Sequence, residues 1–522
     1  MIAKIIVDNK SKQVDKTFDY LVPKELEDKI KIGSRVLVPF SSGNREIEGF
    51  CVGTADTSDS KRLKSIIRTA NDSIGFDEDM LELIEWMHKK YLASYLDIIH
   101  TIVPSGTALK TKEWIILENK SEEKSEIRRR ITEILTANGG SMEFKGLKEM
   151  CGVDIQNQVR AMIKDGTLKK EYRQSVDIKD KKIKCVKLIC DRETALESAE
   201  ILRRKAPVQA KMLEVLSENE YVSLADLQKF TNGSHSTVKA LEKKNLVNVF
   251  DMTVERDPYW NRVFEKTEKM VPTPEQEYAI DEITNSVKSG DGGIYLLHGV
   301  TGSGKTEVFM QTIENVINMG KSAIMLVPEI SLTPQMVSRF MSRFGGRVAI
   351  FHSGLSAGER YDQWKKIRDG EADIVIGARS AIFTPLKNIG VIIMDEEHSD
   401  TYKSDMSPRY HARETAIFRA SQFGAAVVLA SATPSVESYY KAQTGEYKLL
   451  EMNTRYNKNK MPEISVIDMR SELEKGNKSM LSGKLYNEIE ENLKRGEQTI
   501  LFLNRRGFST FVSCRSCGYV PH

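Results

Sequence analysis

The chain has 522 residues, with 77 Lys and Arg against 74 Asp and Glu, so its net charge is +3 at pH 7. This balance excludes a histone-like protein and a wholly acidic one, although it leaves room for a local basic surface. The length predicts about three or four domains, which can bury several cores without disulfides or metals.

Targeting signals and cysteine content predict where such a chain works. Its apolar runs all fall short of the roughly 18 residues needed to cross a bilayer. The N-terminus lacks the apolar segment and cleavage site of a signal peptide. Six cysteines are too few for a disulfide scaffold, and only Cys514 and Cys517 form a close pair. We therefore expect a cytoplasmic protein with free thiols.

The first 105 residues are predicted to form a β-rich unit. Short apolar runs at 4–7, 35–39 and 49–53 have strand character. Apolar residues at helical spacing then predict a helix over 77–93.

Two segments about 80 residues apart share a pattern within 110–260. Leu147 precedes VRAMIKDGTL at 159–168, and Leu227 precedes VKALEKKNLV at 238–247. Each predicts a helix, a turn, a second helix and a short hairpin, as in a helix-turn-helix or winged helix. The region is thus predicted to hold one or possibly two such units. The alternatives are similar helical packings without a DNA role, or winged helices that bind proteins.

A linker at 257–274 leads into alternating strands and helices. Nearly continuous hydrophobic runs suit a parallel sheet covered on both faces, so 270–450 is predicted to be a doubly wound α/β domain. A further unit begins near 480, with a helix to about 495 and a strand over 499–503. The strands predicted in the α/β domain lie at 293–297, 322–327, 348–351, 374–377, 391–394 and 426–430.

A phosphate-binding loop is predicted at 299–306, where GVTGSGKT follows a strand and opens a helix. Its glycines let backbone N–H groups surround phosphates, and the helix N-terminus favours negative charge. Lys305 is predicted to reach the β- and γ-phosphates and Thr306 to hold Mg²⁺. The predicted nucleotide-binding residues are Gly299, Val300, Thr301, Gly302, Ser303, Gly304, Lys305 and Thr306, all of which lie in this loop.

A second acidic motif follows the strand at 391–394, where α/β sheets bind ligands. Asp395 is the expected Mg²⁺ ligand, and Glu396 is the expected base that orients or deprotonates the attacking water. The alternative, an acidic loop after a buried strand, is common for such a motif on its own.

Three further segments have weaker signals, and for each the alternative is an ordinary loop. Gln276, upstream of the phosphate loop, has an amide that could read adenine. Arg379, within GARS at 377–380, could contact a nucleic-acid phosphate. The small hydroxyl residues at 431–433 could link the nucleotide site to a bound strand.

Six segments in this order and spacing resemble the helicase motifs of the primosomal replication-restart DNA helicase family (PriA, primosomal protein N′). They are GVTGSGKTEVF, LVPEISLTPQ, GARSAIF, DEEH, LASATPS and LFLNRRG. LVPEISLTPQ at 326–335 is far more specific than the phosphate loop, and KTFDYLVP at 16–23 resembles the family's N-terminal signature. The resemblance covers most of the chain and is weakest over 170–260.

The resemblance implies a multidomain α/β protein with a RecA-like helicase core. A 3′-DNA-end-binding domain is expected over 1–105, a winged-helix region over 110–260 and a RecA-like lobe over 270–450. The start of a second lobe and a zinc-binding segment are expected over 480–522. The family hydrolyses ATP with Mg²⁺, moves 3′ to 5′ on DNA, recognises stalled forks and initiates primosome assembly. Forked and single-stranded DNA, other primosome proteins and single-strand DNA-binding protein are the implied partners, with no membrane.

The resemblance also assigns DNA contacts. Phe18, Asp19 and Tyr20 are expected to line the pocket for the terminal 3′ nucleotide, with Lys64 nearby. An aromatic ring can stack on a base, a carboxylate can accept from a 3′-hydroxyl and a Lys can meet a phosphate. From spacing alone, a buried strand edge with a surface Asp is the favoured interpretation of this segment.

The loop at 402–413 mixes aromatic and basic residues, as a single-strand contact does. Tyr402 and Arg409 are its expected DNA contacts, and in the family the matching loop links DNA binding to hydrolysis. The alternative is a solvated charged loop.

The last residues depart from the family pattern. Cys514 and Cys517 match family zinc ligands, but structural zinc needs four, so the set is expected to be incomplete. Arg505 and Arg506 come too early to be the Arg that stabilises the transferring phosphoryl group. We therefore expect the chain to be shortened at its C-terminus.

Two functions from different classes remain open at this point. One is an ATP-driven helicase with catalysis at Lys305, Asp395 and Glu396. The other is an ATPase-deficient fragment that binds fork DNA through residues 1–260. A double-strand translocase of the restriction type shares the ATP motifs but gives no reason for KTFDYLVP.

Overall fold

The computed structural model describes residues 1–9, 11–41, 44–60, 62–70, 75–104, 109–119, 125–176, 181–254, 256, 265–457 and 462–502. By its internal contacts the chain divides into two compact units, Met1–Lys458 and Asn459–His522. Among the helices of these ranges, none has both the length and the apolar character that crossing a membrane requires.

The N-terminal part is a six-stranded sheet followed by two helices. The sheet order is β5-β2-β1-β4-β3-β6. The helix predicted at 77–93 is confirmed as α1, which begins after Asp77 and ends at Leu92 in left-handed backbone conformation. The elements are β1 (Ile2–Val7), β2 (Thr17–Leu21), β3 (Arg35–Phe40), β4 (Arg45–Ala55), β5 (Lys64–Ser65), β6 (Arg68–Thr69), α1 (Glu78–Tyr91) and α2 (Tyr95–Ile102).

The next two parts each contain a predicted helix-turn-helix pair, and both pairs are confirmed. The first part comprises β7 (Leu109–Leu117), α3 (Glu126–Ala137), β8 (Ser141–Glu143), α4 (Phe144–Cys151), α5 (Gln156–Lys164) and β9 (Leu168–Val176). The second comprises β10 (Lys181–Leu188), α6 (Arg192–Leu202), α7 (Pro207–Ser217), β11 (Val222–Ser223), α8 (Leu224–Thr231), α9 (His235–Lys243) and β12 (Val247–Val254).

The predicted hairpin after each helix pair is wrong. β9 pairs antiparallel with β7, and β12 pairs antiparallel with β10. The strand that opens each part is therefore the middle strand of its sheet, with the orders β8-β7-β9 and β11-β10-β12. Its free edge accepts the closing strand, so the pairing is made across the whole part rather than across a turn.

A seven-stranded parallel sheet forms the centre of the α/β part, and its order is β15-β16-β14-β17-β18-β13-β19. The six predicted strands are confirmed. The seventh strand, β19, was not predicted because Lys448 and Glu451 interrupt its apolar run. The strands are β13 (Gly293–Gly299), β14 (Ser322–Leu326), β15 (Val348–Phe351), β16 (Ile374–Gly377), β17 (Ile389–Asp395), β18 (Ala426–Ser431) and β19 (Lys448–Met452).

Helices cover both faces of this sheet, as the sequence predicts for a doubly wound domain. The helices of one face, α10 to α12, bury Ile283, Ile313 and Phe340. On the other face α13 and α14 bury Trp364 and Ala416. The helices are α10 (Pro274–Ser289), α11 (Lys305–Asn318), α12 (Pro334–Phe344), α13 (Ala357–Arg368), α14 (Ala412–Phe423) and α15 (Val436–Gln443).

The N-terminal part packs directly on the α/β part. The Trp86 ring of α1 stacks on Phe418 of α14, with the ring centroids 4.6 Å apart. The Tyr91 hydroxyl donates to Glu414 Oε2 at 2.8 Å. One hydrophobic core contains buried side chains from both parts, so the two are joined by apolar packing as well as by the chain.

The second compact unit contains α16 (Met469–Glu474) and α17 (Gly483–Arg495), and the latter confirms the helix predicted to reach residue 495. The strand predicted over 499–503 is wrong where the structure describes it, because residues 499–502 form no strand. Ile500 is 94% exposed and Phe502 is 84% exposed, so their apolar side chains find no sheet to cover them. Leu503, Arg505, Arg506, Cys514 and Cys517 lie outside the described residues.

Candidate nucleotide site and nucleic-acid interface

The loop between β13 and α11 has the backbone shape of a phosphate-binding loop. Gly302 and Gly304 have φ of +84° and +85°, which only glycine adopts readily. A Cβ at Gly304 would also lie 2.3 Å from Gln276 Nε2. The N-terminus of α11 begins at Lys305, so its unpaired N–H groups and its dipole favour an anion at the loop.

Hydrogen bonds inside the loop leave groups available to a ligand. Lys305 Nζ donates to the Gly299 carbonyl at 2.7 Å, and the Ser303 amide donates to the Val300 carbonyl at 3.0 Å. The Ser303 hydroxyl is buried and has no hydrogen-bond partner in the described part of the chain. A buried polar group of this kind is costly unless a ligand satisfies it.

Two carboxylates lie at the carboxyl edge of the same sheet. Asp395 is the last residue of β17, and Glu396 follows with φ of 47°, a strained backbone conformation of the kind concentrated at functional sites. Burial, together with the neighbouring Glu396 carboxylate, raises the pKa of Asp395 to about 6. Burial lowers the pKa of Lys305, against the opposite effect of both carboxylates. The lysine and the acidic pair therefore interact electrostatically across one site.

These groups line a cavity of about 570 Å³. Its volume suits a nucleotide. Mg²⁺ prefers oxygen ligands and often takes only one or two protein carboxylates, so Thr306 and Asp395 fit its requirements. The cavity is also lined by Arg339, Arg343 and Tyr456, which the sequence motifs did not indicate. Within the described ranges, no group of three or more His, Cys, Asp or Glu side chains could hold a metal.

Gln276 lines the cavity and also bonds to the phosphate loop. It is 1% exposed, and its Nε2 donates to the Ser303 carbonyl at 2.8 Å. Its Oε1 accepts from the Thr273 amide, which completes the cap of α10. These bonds give Gln276 a role in positioning the phosphate loop, and its reading of adenine stays a prediction.

Gln276→Glu tests this positioning role because it keeps the cap acceptor and removes the donor to Ser303. We expect about tenfold weaker ATP binding, since a buried carbonyl loses its partner and faces a negative charge. The ratio of ATP to GTP affinity should stay unchanged. Equilibrium binding of fluorescent nucleotide analogues gives both values, with Gln443→Glu on α15 as the matched control. A fall in the ratio of ATP to GTP affinity would instead support the adenine-reading role.

The third acid of DEEH was not assigned from the sequence, yet it holds the densest polar network of the site. The Glu397 side chain is 0% exposed. It accepts from the Ser435 amide at 2.7 Å, the Ser438 hydroxyl at 2.9 Å and Arg413 at 3.2 Å. Arg413 was expected in the basic loop, but its guanidinium binds this network. Glu397 therefore joins the end of β17 to α14 and α15.

The segment at 431–433 is linked to the acidic motif through His398. The Ser431 hydroxyl lies 2.8 Å from His398 Nδ1 and accepts from the Thr433 amide at 2.9 Å. The segment is therefore bonded to the last residue of the DEEH motif. The links from this segment to the nucleotide and to a bound strand stay predictions.

Tyr402 is not available for the predicted DNA contact. Its side chain is 1% exposed, and its hydroxyl donates to the carbonyls of Leu326 and Asp395 at 3.1 and 2.5 Å. This burial contradicts direct stacking on a base. The buried hydroxyl instead ties the start of the loop to the backbone beside the acidic pair.

Basic groups of the loop lie closer to solvent. Arg379 donates to the carbonyls of Thr401 and Lys403. Lys403 Nζ donates to the Arg409 carbonyl at 2.6 Å, and the Arg409 side chain is exposed. Arg379 is thus bonded to the backbone of the loop that carries Arg409. Their DNA contacts stay a prediction.

The predicted end pocket lies on the edge of the N-terminal sheet, where β5 pairs with β2 and places Lys64 opposite Tyr20. Alternation along β2 puts Phe18 and Tyr20 on one face and Asp19 on the other. Tyr20 is 4% exposed, and its hydroxyl donates to the Pro39 carbonyl, so its ring supports the core rather than the pocket. Asp19 is half-buried and accepts from the Ser58 hydroxyl.

Comparison with known proteins extends these observations. A family model described as a 3′ DNA-binding domain matches residues 4–104, and one described as a DEAD/DEAH box helicase matches 273–442. Neither model covers 105–272.

Replication restart protein PriA of Bacillus subtilis is 41% identical over 99% of this chain and 64% of that protein. The protein of the same name from Synechocystis is 34% identical over 97% of this chain and 62% of that protein. The one from Treponema pallidum is 46% identical over 49% of this chain and 37% of that protein. The chain thus spans less than two thirds of the length of these curated relatives.

Proposed function

Because the chain belongs to the PriA family of replication restart proteins, we propose that it is an ATP-dependent 3′–5′ DNA helicase. It recognises stalled replication forks and initiates primosome assembly. One observation carries the proposal: the phosphate loop, Lys305 and the Asp395–Glu396 pair line a single nucleotide-sized cavity. The cavity lies at the carboxyl edge of a parallel sheet, where this class of fold binds ligands.

Five side chains of the cavity have assigned roles in phosphoryl transfer. Lys305 binds the β- and γ-phosphates, and the loop amides with the Ser303 hydroxyl hold the phosphate oxygens. Thr306 and Asp395 would hold Mg²⁺, which would neutralise charge on the phosphate oxygens. Glu396 orients the attacking water and accepts its proton.

A route between DNA and the nucleotide runs through the loop after β17. Exposed Arg409 and the neighbouring Arg379 supply positive charge for a DNA phosphate. The Tyr402 hydroxyl joins this loop to the Asp395 carbonyl at 2.5 Å. A strand bound at the loop would therefore shift the backbone that carries the acidic pair.

The remaining assignments rest on the similarity of this chain to PriA proteins. The protein works in the cytoplasm with other primosome proteins and single-strand DNA-binding protein. Cys514 and Cys517 would be two of the four ligands that a structural zinc requires.

ATP hydrolysis by this protein, with and without forked DNA, tests the function. We expect DNA to stimulate hydrolysis several-fold, as a motor coupled to its track requires. Tight fork binding with equally slow hydrolysis in both conditions would favour the ATPase-deficient alternative. The B. subtilis protein provides a positive control for the assay.

The proposed end pocket predicts that fork affinity depends on the chemistry of the 3′ end. Asp19 can accept from a terminal 3′-hydroxyl, and a charged hydrogen bond contributes about 1.5–3 kcal/mol. We therefore expect about tenfold tighter binding to forks with a free 3′ end than to forks with a 3′-phosphate. Asp19→Ala should remove this preference, whereas Asp28→Ala, an exposed acid of the same part, should keep it. Equal affinity of the unmodified protein for both forks, measured by fluorescence anisotropy, would eliminate the pocket.

A further inference from the structure

The parts at 109–176 and 181–254 are copies of one fold. Each runs from the middle strand of its sheet through a helix to an edge strand, a helix pair and the closing strand. The second copy differs by one added helix, α6. The two second helices of the pairs, α5 and α9, have 9 residues each and start 79 residues apart.

Core positions match between the copies at this same separation. Val159 corresponds to Val238, and Leu168 to Val247; all four side chains are buried. The correspondence therefore comes from equivalent packing of α5 and α9 on their sheets.

The exposed faces of these helices match as well. Gln156, Arg160 and Lys164 follow one another at intervals of four on α5, so they lie along one face. His235, Lys239 and Lys243 occupy the equivalent positions of α9. All six residues are exposed, and in the described ranges the four cationic side chains have no ion-pair or hydrogen-bond partner. Packing explains the repeated core, but it does not explain a repeated pair of unpaired cations.

Charge is distributed unevenly over the second copy. Lys181, Lys182 and Lys184 are exposed on β10, and Lys187 lies 5.5 Å over the Phe250 ring. Three glutamates lie on α6, whereas Glu242 is the one acid on α9. The face formed by α9 is therefore open to an anionic partner.

We propose that the second copy, residues 181–254, is a duplex-DNA-binding module. α9 enters the major groove, where the second helix of such a pair is placed. Lys239 and Lys243 contact phosphates across the groove, and His235 at the start of the helix faces base edges. The first copy offers the equivalent face through α5. This duplex-binding site is additional to the DNA contacts proposed above. Binding there does not require ATP hydrolysis.

Salt-dependent binding of the protein to closed duplex DNA tests the module. The probe is a 20-base-pair duplex capped by hairpin loops at both ends, which removes any free 3′ end. Anisotropy is measured between 50 and 200 mM KCl without nucleotide, so a failed ATPase assay would not affect the result. The variants are Lys239→Ala with Lys243→Ala, and a control of Arg192→Ala with Lys205→Ala that removes equal charge away from α9.

Two phosphate contacts contribute about 1.8 to the slope of log affinity against log salt. The α9 variant should therefore lose about tenfold less affinity across this salt range than the unmodified protein, while the control keeps the original slope. Arg160→Ala with Lys164→Ala should reduce the slope equally. An α9 variant with the slope and affinity of the unmodified protein would overturn the proposal, as would a slope that responds only to the α5 pair. Equal melting temperatures establish that the variants are folded.

Discussion

Lys305→Ala is expected to reduce DNA-stimulated ATP hydrolysis by about a hundredfold or more. The ammonium is half-buried beside the phosphate loop, where removing one charge-stabilising donor typically costs about 10²–10³ in rate. Among the described residues its hydrogen-bond partner is the Gly299 carbonyl, at 2.7 Å, so we expect the loop to keep its shape without the lysine. The steady-state rate at saturating ATP and fork DNA measures the effect.

Lys288→Ala removes an exposed lysine at the end of α10 and serves as the control, with a rate close to that of the unmodified protein. Fork binding without nucleotide should be unchanged in both variants. Hydrolysis that persists in Lys305→Ala would show that the assigned loop is not where ATP reacts.

Glu397→Ala should be the most destabilising single change in the acidic motif. The substitution leaves Arg413, which is 19% exposed, without its counter-ion and removes acceptors from the Ser435 amide and the Ser438 hydroxyl. Breaking a buried ion pair in this way costs about 3–5 kcal/mol. Urea unfolding followed by circular dichroism should show a transition at markedly lower denaturant.

Glu437→Ala is the matched control, because this carboxylate is exposed on α15 close to the same network. Its unfolding curve should overlay that of the unmodified protein. Replacing both Glu397 and Arg413 by apolar residues should recover part of the loss, since no unpaired charge then remains. A stable Glu397→Ala protein would mean that the network contributes specificity rather than stability.

Strands and helices were predictable from the sequence where the local hydrophobic pattern matches the burial of the element in the fold. Continuous apolar runs gave six of the seven parallel strands, because a strand buried on both faces has no need of polar residues. β19 was not predicted because it is an edge strand whose apolar run is interrupted by Lys448 and Glu451. The pairing of β9 with β7 was mispredicted as a hairpin since long-range register leaves no local signal.

In the site, too, features set by the local chain were predictable, and features set by distant partners were not. The glycines and Lys305 of the phosphate loop are placed by local chain geometry, so their positions follow from the motif. The roles of Gln276, Glu397 and Tyr402 depend on partners far along the chain. Gln276 bonds to Ser303, Glu397 to Ser435, and Tyr402 to Leu326. Residue type and spacing alone cannot reveal that such a side chain faces inward.

The stacked rings of Trp86 and Phe418 fix the N-terminal part against the α/β part. They lie in a common apolar core, and separating the two parts would expose that core to water at considerable cost. Strand β2, which lies next to the edge strand β5, is thereby held in a fixed position relative to the α/β part. If a DNA end binds beside β2, as proposed above, that end would be held stationary, and a moving strand would have to pass it.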